Sequence, residues 1–151
     1  MSIPSRPPSS PWRSAHATPH PRHDPARVLV AEDDTEMRRL VVEALRKDGY
    51  DVTEVADGGR LLVELAHQVT TNYEQVDLIV SDVRMPICSG LQIIEALRSA
   101  HCATPIILMT AFGDDATRAR ASLAGALLFD KPFDLDELRA TVARLLDGGV
   151  A

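Results

Sequence analysis

Four short apolar runs in this 151-residue chain stop at a side chain able to do chemistry. RVLVA, ending at Ala31, is followed by Glu32, Asp33 and Asp34; LIVS runs into Asp82; IILM runs into Thr110; and ALLF is followed by Asp130, Lys131 and Pro132. A buried carboxylate is costly unless its charge is offset, so Asp82 at the end of an apolar run needs a partner. Several carboxylates held close together repel one another unless a cation joins them. Hard oxygen donors without a dedicated cage suit Mg²⁺ shared with a phosphate. Singly, each residue has an ordinary explanation: acids favour helix N-termini, Asp82 suits a turn, Thr110 a cap and Lys131 a solvated surface. Jointly they point to a phosphoryl and Mg²⁺ site, provided that the runs are strands whose ends meet at one edge.

The intervening sequence supplies that arrangement. Met37, Leu40, Val41, Ala44 and Leu45 recur at the spacing of one helical face, with Thr35 as N-cap and Gly49 as the stop. YDVTEVA reads as a second strand, and Leu61, Leu62 and Leu65 mark a second helix. A third helix runs from Gly90 through Leu91, Ile94 and Leu97, and a weakly apolar fourth covers DDATRARASLA. The fifth starts at Asp134, with Glu137 as a reciprocal cap, and continues through Leu135, Leu138, Val142 and Leu145. Five strand and helix units result. Because Leu78–Val80 and Ile106–Met109 lack polar alternation, those strands must be covered on both faces, which implies a doubly wound parallel α/β sheet. In such sheets ligands bind outside the carboxyl ends of the strands, where the strand order reverses.

Composition narrows the function. A hydrophobic content of 45% with 25% charged residues is that of a globular protein, and a net charge of −6 argues against a direct nucleic-acid surface. No run approaches the roughly 20 apolar residues of a membrane span, and the N-terminus lacks the apolar core of a secretory signal, so a cytoplasmic location is expected. Cys88 and Cys102 lie outside any Cys-x-x-Cys spacing and read as free thiols. Seven of the ten prolines fall in residues 1–25, with almost no aliphatics and a net charge of +2. That segment is expected to be a disordered tail ahead of a domain spanning 26–148, with 149–151 as a short C-terminal tail. His16, His20 and His23 lack the carboxylate or cysteine framework of a metal site.

The set VLVAEDD, IVSDVRMPICSG, ILMTA and DKPF, in that order, resembles the receiver domain of two-component response regulators over residues 26–148. The resemblance implies a flavodoxin-like five-stranded sheet in order 2-1-3-4-5 with helices on both faces. It implies that Asp82 accepts a phosphoryl group from a sensor histidine kinase or a histidine phosphotransfer protein, forming an acyl phosphate. Asp33 then matches a direct Mg²⁺ ligand, Glu32 an acid acting through water, and Arg84 the position whose backbone carbonyl completes the metal shell. Lys131 matches the ammonium that pairs with the phosphoryl oxygens, and Thr110 the hydroxyl that moves to bind them. Met85, Pro86 and Gly90 shape the loop that aims Asp82. Asp34 reads as a helix-start charge.

Such a protein is a phosphoacceptor that assists its own phosphorylation and slow dephosphorylation, not an enzyme with turnover. Only DGGVA follows the last helix, so output is expected through an unknown downstream protein or a phosphorelay, with room for a homodimer through the face of the fourth helix, fifth strand and fifth helix. Three other readings compete. A haloacid-dehalogenase-like phosphatase would carry an aspartate where Arg84 stands. A dinucleotide-binding module would carry glycines where EDDTEM stands. A receiver-like module indifferent to phosphorylation would be expected to lack one of the acids or the lysine.

One departure bears on the switch. The segment from Gly125 to Lys131 is one residue shorter than is usual in the family, and the position three before the lysine, usually aromatic, is Leu128. Phe129 is next along and should face the opposite side of a strand.

Overall fold

The computed structural model describes residues 23–70 and 76–147, so residues 1–22 of the expected tail, and 148–151, lie outside the described residues. Strands and helices alternate: β1 (Arg27–Ala31), α1 (Thr35–Lys47), β2 (Asp51–Val55), α2 (Gly58–Thr70), β3 (Leu78–Asp82), α3 (Gly90–Ser99), β4 (Ile106–Thr110), α4 (Asp115–Leu123), β5 (Leu127–Asp130) and α5 (Leu135–Leu146). All strand pairs are parallel, in the order β2-β1-β3-β4-β5. This is the doubly wound parallel sheet expected from the apolar runs, in the flavodoxin-like order implied by the family resemblance.

β3 and β4 are buried at every position because helices cover both faces. On one face Leu29, Ile79 and Leu108 pack with Leu61 of α2, Ile94 of α3 and Ala121 of α4. On the other, Val30, Val80 and Met109 pack with Val41 and Leu45 of α1 and Leu138 and Val142 of α5. Burial of one such aliphatic side chain is worth about 1.5–3 kcal/mol. α1 buries Val41, Val42 and Leu45, whereas α4 buries only Ala121. α4 is therefore the most lightly anchored of the helices.

Local chemistry sets the helix ends. Asp34 caps α1 by accepting from the N–H groups of Glu36 and Met37, so Thr35, expected as the cap, is instead the first helical residue. Ser89 and Gln92 form a reciprocal capping box at α3, and Asp114 caps α4. Asp134 caps α5 through the N–H of Asp136 rather than through a box with Glu137. Leu40 and Leu62, read as core, are exposed, because the buried stripes are narrower than the apolar periodicity. Ahead of β1, one residue of the expected tail touches the domain. His23 Nδ1 lies 3.1 Å from Asp77 Oδ2, which also accepts from the Arg27 N–H at 2.8 Å.

Candidate functional site

From β1 the chain moves outward to β2 on one side, while β3, β4 and β5 extend on the other, so the strand order reverses between β1 and β3. The crevice outside the carboxyl ends of those two strands is where this fold binds ligands. Glu32 follows β1 and is 0% exposed; Asp82 ends β3, and Thr110 ends the neighbouring β4, both buried. Lys131 follows β5, half-buried, and reaches back across β4. Its Nζ donates to Glu32 Oε1 at 2.5 Å and to Asp82 Oδ2 at 3.0 Å. Glu32, Asp82 and Lys131 are thus brought together, with Thr110 beside them at the end of β4.

Burial raises the Glu32 carboxyl to about 7, helped by its hydrogen bond with Asp82 and opposed by Lys131. Burial pulls the Lys131 ammonium down, but its hydrogen bonds to Glu32 and Asp82 outweigh that and leave it raised. Glu32 is fixed from several directions. Its Oε2 accepts from the Asp34 N–H at 3.3 Å, its N–H donates to the Val55 carbonyl, and its own carbonyl accepts from Arg38 at 2.8 Å.

The loop after Asp82 is shaped around that residue. The Arg84 N–H donates to Asp82 Oδ1 at 3.2 Å, Ser81 Oγ donates to the Asp82 carbonyl at 2.9 Å, and the Gly90 N–H donates to the Val83 carbonyl at 2.8 Å. A Cβ on Gly90 would lie 2.2 Å from the Asp82 carbonyl oxygen, so only glycine permits that approach. Ile87, at the turn of the same loop, has φ +78° and is 84% exposed, a backbone conformation that β-branched residues rarely adopt. Thr110 Oγ1 accepts from the Phe112 N–H at 3.1 Å, and the Thr110 carbonyl accepts from the Lys131 N–H at 2.7 Å.

Glu32, Asp33 and Asp82 each offer a carboxylate oxygen, and these oxygens lie within 4.8 Å of one another. Asp33 is exposed and the other two are buried, so the cluster opens to water on one side. A set of hard oxygen donors, one of them a carboxyl driven up by burial, fits a divalent cation such as Mg²⁺. Asp34, the third acid of the run, is turned away to cap α1. Arg84 is exposed, and its guanidinium carbon lies 5.3 Å from the centroid of the Phe112 ring.

Two contacts at this edge had no sequence signal, the Arg84 and Phe112 stack and an ion pair between Arg118 and Asp130. Both join loops whose course no periodicity encodes. Leu128 and Phe129 do face opposite ways. Leu128 packs against the layer of α2, α3 and α4, and Phe129 against the layer of α1 and α5.

A family model for the response regulator receiver domain matches residues 28–143. The chain is 36% identical over 123 residues to regulatory protein AtoC of Escherichia coli (strain K12), a match that covers 80% of this chain but only 25% of AtoC. It is 30% identical over 121 residues to sporulation initiation phosphotransferase F of Bacillus subtilis (strain 168), covering 80% of this chain and 93% of that protein. Among solved structures it matches chemotaxis response regulator CheY4 of Vibrio cholerae with a TM-score of 0.67 and 31% identity, over 80% of this chain and 98% of that one. No helix among the described residues is long and apolar enough to cross a membrane.

Proposed function

The chain belongs to the response regulator receiver family, and on that premise we propose that it accepts a phosphoryl group on Asp82 from a phosphohistidine of a sensor histidine kinase or a histidine phosphotransfer protein. The observation that carries this reading is the position of Lys131, whose ammonium lies 3.0 Å from Asp82 at the switch point of the sheet.

A carboxylate oxygen of Asp82 attacks phosphorus, the phosphorus–nitrogen bond breaks, and its electron pair leaves with the imidazole. Charge builds on the phosphoryl oxygens as this happens. Lys131 is already in place to pair with them, so no reorganisation is needed at the moment of reaction. Thr110, at the adjacent strand end, supplies a hydroxyl for one of the same oxygens. The N–H of Arg84 and the fit of Gly90 against the Asp82 carbonyl orient the acceptor. Asp33, Asp82 and the backbone carbonyl of Arg84 would hold Mg²⁺, with Glu32 acting through water. When bound, the ion would neutralise charge shared by the carboxylates and the phosphoryl group.

Output through a partner protein or a phosphorelay, in the cytoplasm, is part of the same reading. A relative of which the chain spans 93% is named a phosphotransferase, which supports the relay. The test is direct: with Mg²⁺ and a small acyl phosphate as donor, the protein should gain one acid-stable, base-labile phosphoryl group, and Asp82→Asn should gain none. Equal labelling of the two would overturn the assignment.

A further inference from the structure

Arg118 on α4 holds two segments at once. Its Nε donates to the Gly113 carbonyl at 3.1 Å, and its Nη2 donates to Asp130 Oδ1 at 2.6 Å. A Cβ on Gly113 would lie 2.6 Å from that carboxylate oxygen and 2.8 Å from Arg118 Nη2, so the pair closes directly over the Gly113 backbone and a side chain there would push it aside. Asp130 stands opposite Thr110 in the register of β4 and β5, immediately before Lys131. Gly113 follows Phe112, whose N–H fixes Thr110 Oγ1. The ion pair therefore fastens the loop that orients Thr110 to the strand end that carries Lys131. Apolar packing offers little competition, because α4 buries only Ala121.

We infer that Arg118 and Asp130 are positioning residues for Thr110. They hold loop 111–113 in the arrangement that ties Thr110 to Phe112, and so oppose the turn of its hydroxyl toward a phosphoryl group on Asp82. This rests on the proposed phosphoryl acceptance at Asp82. It also gives the chain a link between Thr110 and the end of β5 at the point where the shortened segment places Leu128 instead of an aromatic residue. The pair is exposed, so its effect is modest and screened by salt.

The test is the half-saturating concentration of beryllofluoride, a phosphoryl mimic, in the presence of Mg²⁺, read from the Thr110 amide shift of the full chain. Arg118→Gln and Asp130→Asn should each tighten binding about threefold at low ionic strength, the scale of one exposed ion pair. The double variant should also gain about threefold, not the product of the two, because the Arg118–Asp130 contact is lost in every case. A simple charge effect predicts opposite signs: losing a cation would weaken binding of an anion, and losing an anion would strengthen it. The ratio of wild type to variant should approach one at about 1 M salt, where screening reaches a few ångströms. Opposite signs, no change in either single variant, or a multiplicative double variant would each overturn the inference and leave phosphoryl acceptance standing. A wild type that neither binds the mimic nor differs from Asp82→Asn would overturn both.

Discussion

The Glu32 carboxylate and the Lys131 ammonium lie 2.5 Å apart, closer than the 3.0 Å between that ammonium and Asp82. Even so, the cation does not hold Glu32 in the usual carboxylate range. Burial raises its carboxyl to about 7, so the folded chain keeps a proton here that the unfolded chain releases near 4.5. A raised carboxyl contributes stability that is fully present below about 4.5 and is lost as pH climbs through about 7. Binding of a cation runs the other way, because the ion must displace that proton.

Apparent Mg²⁺ affinity should therefore fall as pH drops below about 7, approaching tenfold per unit, while the metal-free protein gains stability from Glu32 over the same interval. Glu32→Gln should flatten both profiles. Isothermal titration at pH 5.5, 6.5 and 7.5, beside melting curves without metal, checks both signs. A Mg²⁺ affinity that does not change with pH in wild type would refute the role given to Glu32.

Asp33 and Asp34 are neighbours with different work. Asp33 lies in the carboxylate cluster, and Asp34 accepts the first N–H groups of α1. Asp33→Ala should weaken Mg²⁺ binding about tenfold or more, as loss of a charged ligand or its support commonly does. It should leave the melting temperature of the metal-free protein nearly unchanged. Asp34→Ala should cost about 1 kcal/mol of stability, the value of a lost N-cap, and leave the Mg²⁺ titration unchanged. Matching titrations for the two variants would show that the pair has been assigned wrongly.

The strand ends were legible in the sequence because β3 and β4 are apolar at successive positions, which only a sheet covered on both faces tolerates. That pattern alone brings Glu32, Asp82, Thr110 and Lys131 to one edge. Helix faces were legible only to within a position. Leu40 and Leu62 share the apolar rhythm yet stay exposed, and Val42, outside the chosen stripe, is buried. Thr35 was read as the cap of α1, but Asp34, read as a helix-start charge, does the capping, because both side chains can accept from a helix N-terminus. Polar contacts across the fold, such as His23 with Asp77 or Arg118 with Asp130, leave no periodic trace. They depend on the paths of loops, which hydropathy does not record.

Gly90→Ala should be among the most damaging single-methyl additions near the site. Its Cβ would lie 2.2 Å from the Asp82 carbonyl oxygen, a backbone atom that cannot rotate away. The loop must shift, and overpacking of this kind costs about 1–3 kcal/mol. Denaturant unfolding should show that loss, and labelling from a small phosphodonor should slow because the acceptor moves with its carbonyl. Unchanged stability together with unchanged labelling would mean that the loop yields without carrying Asp82.

Leu128 and Phe129 offer two candidates for the side chain that answers Thr110, and their surroundings separate them. Successive strand residues point to opposite faces. Leu128 lies in the layer of α2, α3 and α4, and Leu108 of the neighbouring strand is its partner in register. Phe129 lies in the layer of α1 and α5, edge-on to Phe133 with ring centroids 5.8 Å apart. Rotation of Phe129 would break that contact and open the core beneath it, so packing is the role expected of it. Phe129→Ala should cost about 1–2 kcal/mol, consistent with a half-buried ring, and should leave the amide response to a phosphoryl mimic intact. Leu128 has less surface than an aromatic to expose and no hydroxyl to anchor. The response should therefore concentrate at Thr110, Ala111 and Phe112, with a smaller change along β5 that Leu128→Ala reduces further. Amide shifts with and without the mimic, in wild type and in both variants, measure this. If Phe129→Ala alone erased the response around β5 while Leu128→Ala preserved it, the switch would run through the α1 and α5 layer instead.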